Sequence, residues 1–439
     1  MANSRPSKDD GDKPRRSSEN KPRRTTPRYS SDSSELRYNI GKGSAHRGKS
    51  VAARSRREYY RKKEEQRKRR ARKRAVALCM VLMLIITAVI IGVFIYRGCT
   101  SQPPAAPQTE TIAATEAATV PPYTPVSSQL PELEDDGSDG YTDGGIYIWN
   151  SKGFDIFKGD EKSALLYSAA IGDFKEALGN EITVYNMVVP NHTAYGLPDR
   201  LSSEIGTNAQ RDNITVIYSN YDEAVIPVDV YNELGAMRND YIFYNTDNRW
   251  TSLGAYQAYT AFAKAAGFEP ISIDELEANT IEGYSGSYVE STDNEDLQQN
   301  LDTIEYYTIP GEYSCSIIER AVDGTIAQES QECEMYKTEF DEGEDELDVF
   351  IGGDNPLFIA DNLKNNEGNK LLVVKDTFGS AIVPFLAASY DEVHVIDFRY
   401  YEGSVEEYCN RKGIKNVLFL NGIMSANSAA QINKLGELF

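Results

Sequence analysis

Apolar positions along this chain fall into three regimes. Up to residue 74 they are scattered singly among charged and small polar residues. Ala75–Tyr96 then reads AVALCMVLMLIITAVIIGVFIY, 22 residues without a charge, and an α-helix needs about 20 to cross a bilayer. From Cys99 to about Gly145 the chain turns to Pro, Thr, Ala, Ser and acidic residues (PPAAPQTETIAATEAATVPPYTPVSS), a composition that cannot bury a core and predicts an extended stalk. Regular patterning begins near Ile146 and continues to Phe439.

Within 146–439 the pattern alternates between strand and helix. IYIWN and FDIF predict a hairpin around Ser151-Lys152-Gly153, and Ser163–Leu178 has helical spacing. EITVYNMVVP (Glu181–Pro190) is a near-continuous apolar run of the kind buried on both faces of a sheet, and Ile214–Tyr218 reads as another. Val228–Arg238 is predicted helical and Tyr241–Tyr244 a short strand. Trp250–Ala266 is predicted to be a helix, starting near Thr251 or Ser252 and stopped by Gly267. Leu371–Val374, Val393–Asp397 and Val417–Leu420 are three more buried strands, with helices around Ala381–Ala388, Glu402–Arg411 and Ser428–Leu438. Such alternation predicts an α/β fold, a mainly parallel sheet flanked by helices. Thr303–Phe340 breaks it with β-formers and hairpin turns, so an antiparallel insertion is expected near 283–348. DEGEDELD (Asp341–Asp348) is expected to be a solvated loop without EF-hand spacing.

Charge sharpens the division. Residues 1–74 carry 26 Lys+Arg against 9 Asp+Glu, a net of +17, while the rest carries 20 against 58, a net of −38. The apolar segment is too long for the core of a signal peptide, and Arg97-Gly98-Cys99 offers no cleavage pattern. A single transmembrane helix over 75–97 is therefore expected. Basic residues crowd its N-terminal side, which places residues 1–74 in the cytoplasm as a disordered basic tail and the acidic remainder outside. Beside a membrane span, anionic lipid headgroups are a more economical partner for that tail than nucleic acid. The expected order is tail 1–74, span 75–97, stalk 98–145 and folded ectodomain 146–439. Outside the cell a Cys315–Cys333 disulfide across the turn at Asp323-Gly324 is one possibility, and two free thiols are the other.

Candidate chemistry gathers in three stretches. Thr246–Tyr259 reads TDNRWTSLGAYQAY; Phe350–Pro356 reads FIGGDNP; and Leu371–Tyr401 contains Lys375-Asp376-Thr377-Phe378 after a buried strand, ending in VIDFRYY. A residue just past such a strand is held at the carboxyl edge of the sheet, where α/β proteins place their sites. These stretches, in this order, resemble the signature of the DHHW family, bacterial surface proteins allied to the AlgX/AlgJ-type polysaccharide O-acetyltransferases. The resemblance covers about 146–439 and implies an SGNH-hydrolase-like fold. It implies a role in O-acylation of a cell-envelope or exported polysaccharide, beside a multi-pass membrane O-acyltransferase and without a metal or cofactor. It places the family's acid on Asp247, its histidine on Arg249 and its serine nucleophile on Thr377.

Two of those three positions depart from the family. A guanidinium keeps its proton and has no acceptor site, so Arg249 cannot act as a base. Threonine keeps the hydroxyl but its extra methyl restricts χ1. Asp247 is expected to pair with Arg249 or cap the following helix. Gly352 and Gly353 offer oxyanion amides or a tight turn, and Phe378 N–H is a further oxyanion candidate. Arg249, Trp250 and Asp376 are candidate substrate contacts; Trp250 also reads as packing. His192 could reach the same sheet edge, whereas His394 should pack against a helix. Catalysis is therefore expected to be impaired or lost. The alternative is a glycan-binding or scaffolding pseudoenzyme of the envelope.

Overall fold

The computed structural model describes residues 123–126, 129–221, 224–321, 323–341, 343–365 and 367–439. The expected tail, the span at 75–97 and most of the stalk lie outside the described residues. Among the described residues no helix is long and apolar enough to cross a membrane.

Three strands at the start, β1 (Tyr141–Asp143), β2 (Ile146–Trp149) and β3 (Lys152–Asp155), form a small antiparallel meander. The main sheet takes β4 (Thr183–Val189) and β5 (Val225–Pro227). A separate ribbon pairs β6 (Glu277–Tyr284) with β7 (Asp302–Thr308). The main sheet is completed by β8 (Tyr313–Ile318), β9 (Gln331–Cys333), β10 (Leu357–Asn362), β11 (Lys370–Lys375), β12 (Glu392–Asp397) and β13 (Asn416–Gly422). Its order is β5-β4-β13-β11-β12-β10-β8-β9. The first five strands run parallel, and β10, β8 and β9 extend the sheet antiparallel. The sheet is thus mixed rather than mainly parallel. The predicted insertion is correspondingly divided: β6 and β7 stand apart as a ribbon, whereas β8 and β9 belong to the main sheet.

Helices cover both faces. α1 (Glu161–Leu178), α2 (Gln210–Ser219) and the C-terminal helices α5 (Val405–Lys412) and α6 (Ala429–Leu435) bury one face, around Val184, Leu372, Val374, Val417 and Phe419. α3 (Ser252–Ala266) and α4 (Val383–Ser389) bury the other, against Tyr185, Met187, Val373, Val395 and Leu418. This is why β4, β11, β12 and β13 are buried at nearly every position, with apolar runs through their centres. Ile214–Tyr218, expected as a strand, lies instead inside α2. Ile214, Ile217 and Tyr218 are buried at helical spacing, and Thr215 and Val216 between them are only half-buried. Tyr241–Tyr244 reduces to one isolated bridge, Phe243–Trp250. α3 begins and ends where its signals put it, with the Thr251 hydroxyl accepting from Gly254 N–H and Gly267 left-handed at φ 79°.

Cys315 and Cys333 face each other directly across β8 and β9, and both thiols are free. Burial pushes Cys315 up to about 12 and Cys333 up to about 11.

Candidate functional site

Parallel register brings the ends of β11, β12 and β13 to one rim, with Lys375 level with Asp397 and Leu420. β10 runs the other way, so the segment before it, with Asp354, reaches the same rim. At the end of β11 the chain breaks into a short turn, Thr377–Gly379. Asp376 caps this turn by accepting from Phe378 N–H at 3.1 Å, and its second oxygen accepts from Gly422 N–H at 2.8 Å. Asp376 is therefore a buried fastener between β11 and β13, not a group offered to substrate, and Phe378 N–H is already engaged. Burial raises the Asp376 carboxyl above its ordinary value.

Thr377 emerges from this turn with its hydroxyl accepting from Arg399 Nη1 at 2.9 Å. Arg399 grips Asp397 through Nε and Nη2 at 2.9 and 2.6 Å and reaches Asp354 at 2.7 Å. Lys375, fully buried, joins the same network through Asp354 at 2.6 Å, Ser380 at 2.9 Å and Asp397 at 3.2 Å. Two cations are thus locked between two carboxylates directly beneath Thr377. Burial works against the Asp354 charge, but Lys375 and Arg399 outweigh it and hold that carboxyl well below the ordinary range.

The signature segment comes to the same place from the other side. Asp302, on β7, accepts from Asn245 N–H, Thr246 N–H and the Thr246 hydroxyl at 2.8, 2.7 and 2.5 Å, and also from the Tyr241 hydroxyl, which fixes the turn ahead of Asp247. Asp247 is fully buried. It accepts from Arg249 N–H at 3.0 Å, Arg249 Nε at 2.6 Å, Arg249 Nη2 at 2.9 Å, the Tyr284 hydroxyl at 3.0 Å and Ser287 N–H at 3.0 Å. Arg249 Nη2 also reaches Asp345 at 2.7 Å. Burial favours a protonated Asp247, yet the Arg249 charge and these donors override it and keep the carboxyl below its ordinary range. The helix cap is Thr251, so of the two readings of Asp247 the structure has the ion pair.

Arg249, Trp250, Asp348, Gly353, Asp354, Thr377 and Phe378 line one small cavity of about 20 Å³. Trp250 is buried and packs edge-on against Phe378 at 5.7 Å, and its Nε1 has no partner among the described residues. Asp348 and Asp354 also line a neighbouring groove of about 600 Å³, along with Arg320, Lys337, Asp345, Gly352 and Tyr400. Arg320 stacks over the Tyr400 ring at 4.2 Å. The groove and the small cavity meet at Asp348 and Asp354.

Several expectations need correction. Ile351, Gly352 and Gly353 are consecutively left-handed, at φ 54°, 68° and 84°, and Gly353 N–H donates to Phe350 O at 2.9 Å. The pair of glycines makes a tight turn, and Gly353 has no amide hydrogen to spare for an oxyanion. DEGEDELD is not simply solvated: Asp345 holds Arg249 and Asp348 lines the cavity. Both were missed in the sequence because an acidic run ordinarily marks an exposed loop. His192 is buried between Phe154 at 4.6 Å and Phe243 at 5.3 Å, lines a different pocket from Thr377, and is driven down to about 3 by burial. His394 packs as expected, its Nδ1 2.8 Å from the Tyr408 hydroxyl on α5. Among the described residues the site therefore contains no imidazole. Neither Arg399 nor the bridging role of Lys375 has a local signature in the sequence, since each sits inside or beside an apolar strand.

The model of the DHHW protein family matches residues 134–396. A DHHW family protein from Eubacterium siraeum is 29% identical and superposes with a TM-score of 0.61 over 69% of this chain and 98% of its own. Bacillus cereus PatB1, in a structure with a sulfonyl adduct, is 18% identical with a TM-score of 0.53 over 67% of this chain and 97% of its own, a likeness of fold. The O-acetyltransferase domain of Pseudomonas putida AlgJ overlaps at 14% identity and a TM-score of 0.36, covering 66% and 96%, which is too loose to argue from. No curated protein matches the chain.

Proposed function

The chain belongs to the DHHW family, and from that premise we propose that it serves in O-acylation of a cell-envelope or exported polysaccharide. Thr377 is the hydroxyl that meets the acyl group, in a site from which histidine-driven proton transfer has been lost. The observation that carries this reading is the placement of Thr377. It stands at the carboxyl rim of the sheet, in one cavity with Arg249 and Trp250, its oxygen held by Arg399 and its own proton uncommitted among the described residues. The two guanidiniums supply positive charge where an ester carbonyl would gain negative charge. PatB1, of similar fold, is known with a sulfonyl adduct, which fits a reactive centre in this kind of scaffold.

In this proposal the chain is an SGNH-hydrolase-like ectodomain on a stalk, anchored by one span with its basic N-terminal tail on anionic lipids inside the cell. A multi-pass membrane O-acyltransferase delivers the acyl group across the bilayer. General-base help is worth about 10²- to 10⁴-fold in rate, so without the histidine turnover is expected to be slower than that of a histidine-driven site. Incubating the full chain with a chromogenic acetyl ester and mapping acetylation by mass spectrometry tests it. Acetyl on Thr377, absent in Thr377→Ala, is expected; labelling unchanged by that substitution sinks the proposal.

A second reading, a glycan-binding pseudoenzyme, is favoured by one observation: Arg249 commits its Nε and Nη2 to Asp247, Tyr284 and Asp345, a structural rather than a proton-accepting role. Ester turnover that appears only when Arg249→His and Thr377→Ser are combined would favour it.

A further inference from the structure

Asp348 stands at the junction of the small cavity and the large groove and lines both. Its backbone is fixed by the turn Glu346–Val349, where Asp348 N–H donates to Asp345 O at 2.9 Å. Among the described residues its carboxylate accepts no hydrogen bond and makes no ion pair, unlike Asp247, Asp345 and Asp354 around it. The backbone makes room for it: a Cβ at left-handed Gly353 would land inside the Asp348 carboxylate. Ile351, a β-branched residue at φ 54°, carries backbone strain in the same turn. A strained three-residue turn thus leaves one unpaired carboxylate lining the same cavity as the Thr377 hydroxyl, a cavity large enough for about one water.

We propose that Asp348 is the proton acceptor for Thr377, replacing the imidazole that the site lacks. This deepens the O-acylation reading and rests on it. In the acylation step the Thr377 oxygen attacks the carbonyl carbon of an acetyl ester while its proton passes to Asp348, directly or through one water. The tetrahedral oxyanion faces the guanidiniums of Arg249 and Arg399. Collapse breaks the ester C–O bond, and the departing alcohol takes the proton from Asp348. In the second step a sugar hydroxyl gives its proton to Asp348 and attacks the acyl-threonine, and the Thr377 oxygen leaves with that proton. The net change is acyl transfer between two alcohols.

The electrostatic surroundings suit the task. Burial pushes the Asp348 carboxyl up, the charges of Asp345 and Asp354 push it further, and Arg249 and Lys337 only partly oppose them, leaving it at about 7. A base poised near ambient pH is the most effective kind.

Release of alcohol from a chromogenic acetyl ester by the full chain, followed across the neutral range, tests this. The Thr377-dependent rate is expected to rise with pH and level off above an inflection near 7, and to fall about 100-fold or more in Asp348→Asn. Thermal unfolding of Asp348→Asn shows whether that variant is folded, and the inflection in the unaltered protein needs no variant at all. A Thr377-dependent rate without that inflection, or one untouched in folded Asp348→Asn, overturns the role of Asp348 and leaves the O-acylation reading standing. If Thr377 takes no acetyl group, both fall together.

Discussion

Removing the charge of Asp247 probes the frame of the site. Asp247→Asn keeps the shape but turns one acceptor into a donor, facing the Arg249 and Tyr284 donors that now meet a carboxylate. Breaking a buried ion pair by removing one partner costs about 3–5 kcal/mol. Arg249 would keep Asp345, whose side chain is 39% exposed, and a partner so wet recovers only part of the loss. The expected cost is therefore near the lower end, about 3 kcal/mol, or roughly a 6–12 °C fall in Tm for a domain of this size. Urea unfolding followed by tryptophan fluorescence measures it. The dependence on pH is equally specific. The folded carboxyl ionises below its ordinary value of 3.8, so its contribution is complete above that value and is lost as pH falls below it toward the folded value. The gap between the two proteins should be constant at neutral pH and close in strong acid. A neutral-pH loss under about 1 kcal/mol, the worth of an exposed pair, refutes the description of the Asp247–Arg249 frame.

Gly353→Ala should cost about 1–3 kcal/mol from its left-handed backbone alone and should also displace Asp348, lowering both Tm and ester turnover. Asp348→Asn should unfold with nearly the same stability as the unaltered protein at acid pH. It should become the more stable of the two, by an amount on the order of 1–3 kcal/mol, as pH rises from the ordinary 3.8 through the folded value of about 7, because only the aspartate must ionise where burial and two carboxylates oppose it. Calorimetry at the two pH values decides the sign. Lys375→Met should cost about 3–5 kcal/mol by leaving Asp354 and Asp397 to Arg399 alone; a neutral effect in denaturant unfolding would count against the buried network.

The pattern of the chain made the central strands and α3 legible because each is decided locally. Residues 183–189, 370–375 and 416–422 are apolar on both faces, and Thr251 and Gly267 mark the helix ends chemically. α2 was misread because Ile214, Thr215, Val216, Ile217 and Tyr218 are β-formers in composition, and only the surrounding packing shows which of them point inward. The antiparallel half of the sheet was equally hidden, since pairing of β8 with β10 joins residues some forty positions apart. The positions of Asp247, Arg249 and Thr377 could be read from motifs. Their partners could not: Asp345, Asp348 and Arg399 lie in an acidic run and a strand end, where residue type alone predicts solvent or packing.

Position 249 also carries a mechanical burden. The guanidinium spans Asp247, Tyr284 and Asp345 at once, tying together segments nearly a hundred residues apart in the chain. An imidazole has two ring nitrogens and cannot reach all three. Going back to the family's histidine therefore unfastens Asp345 and leaves that acidic stretch facing a weaker, pH-dependent cation. One side chain at position 249 thus splices the signature segment, the β6 strand end and the acidic stretch, and a change there loosens all three together.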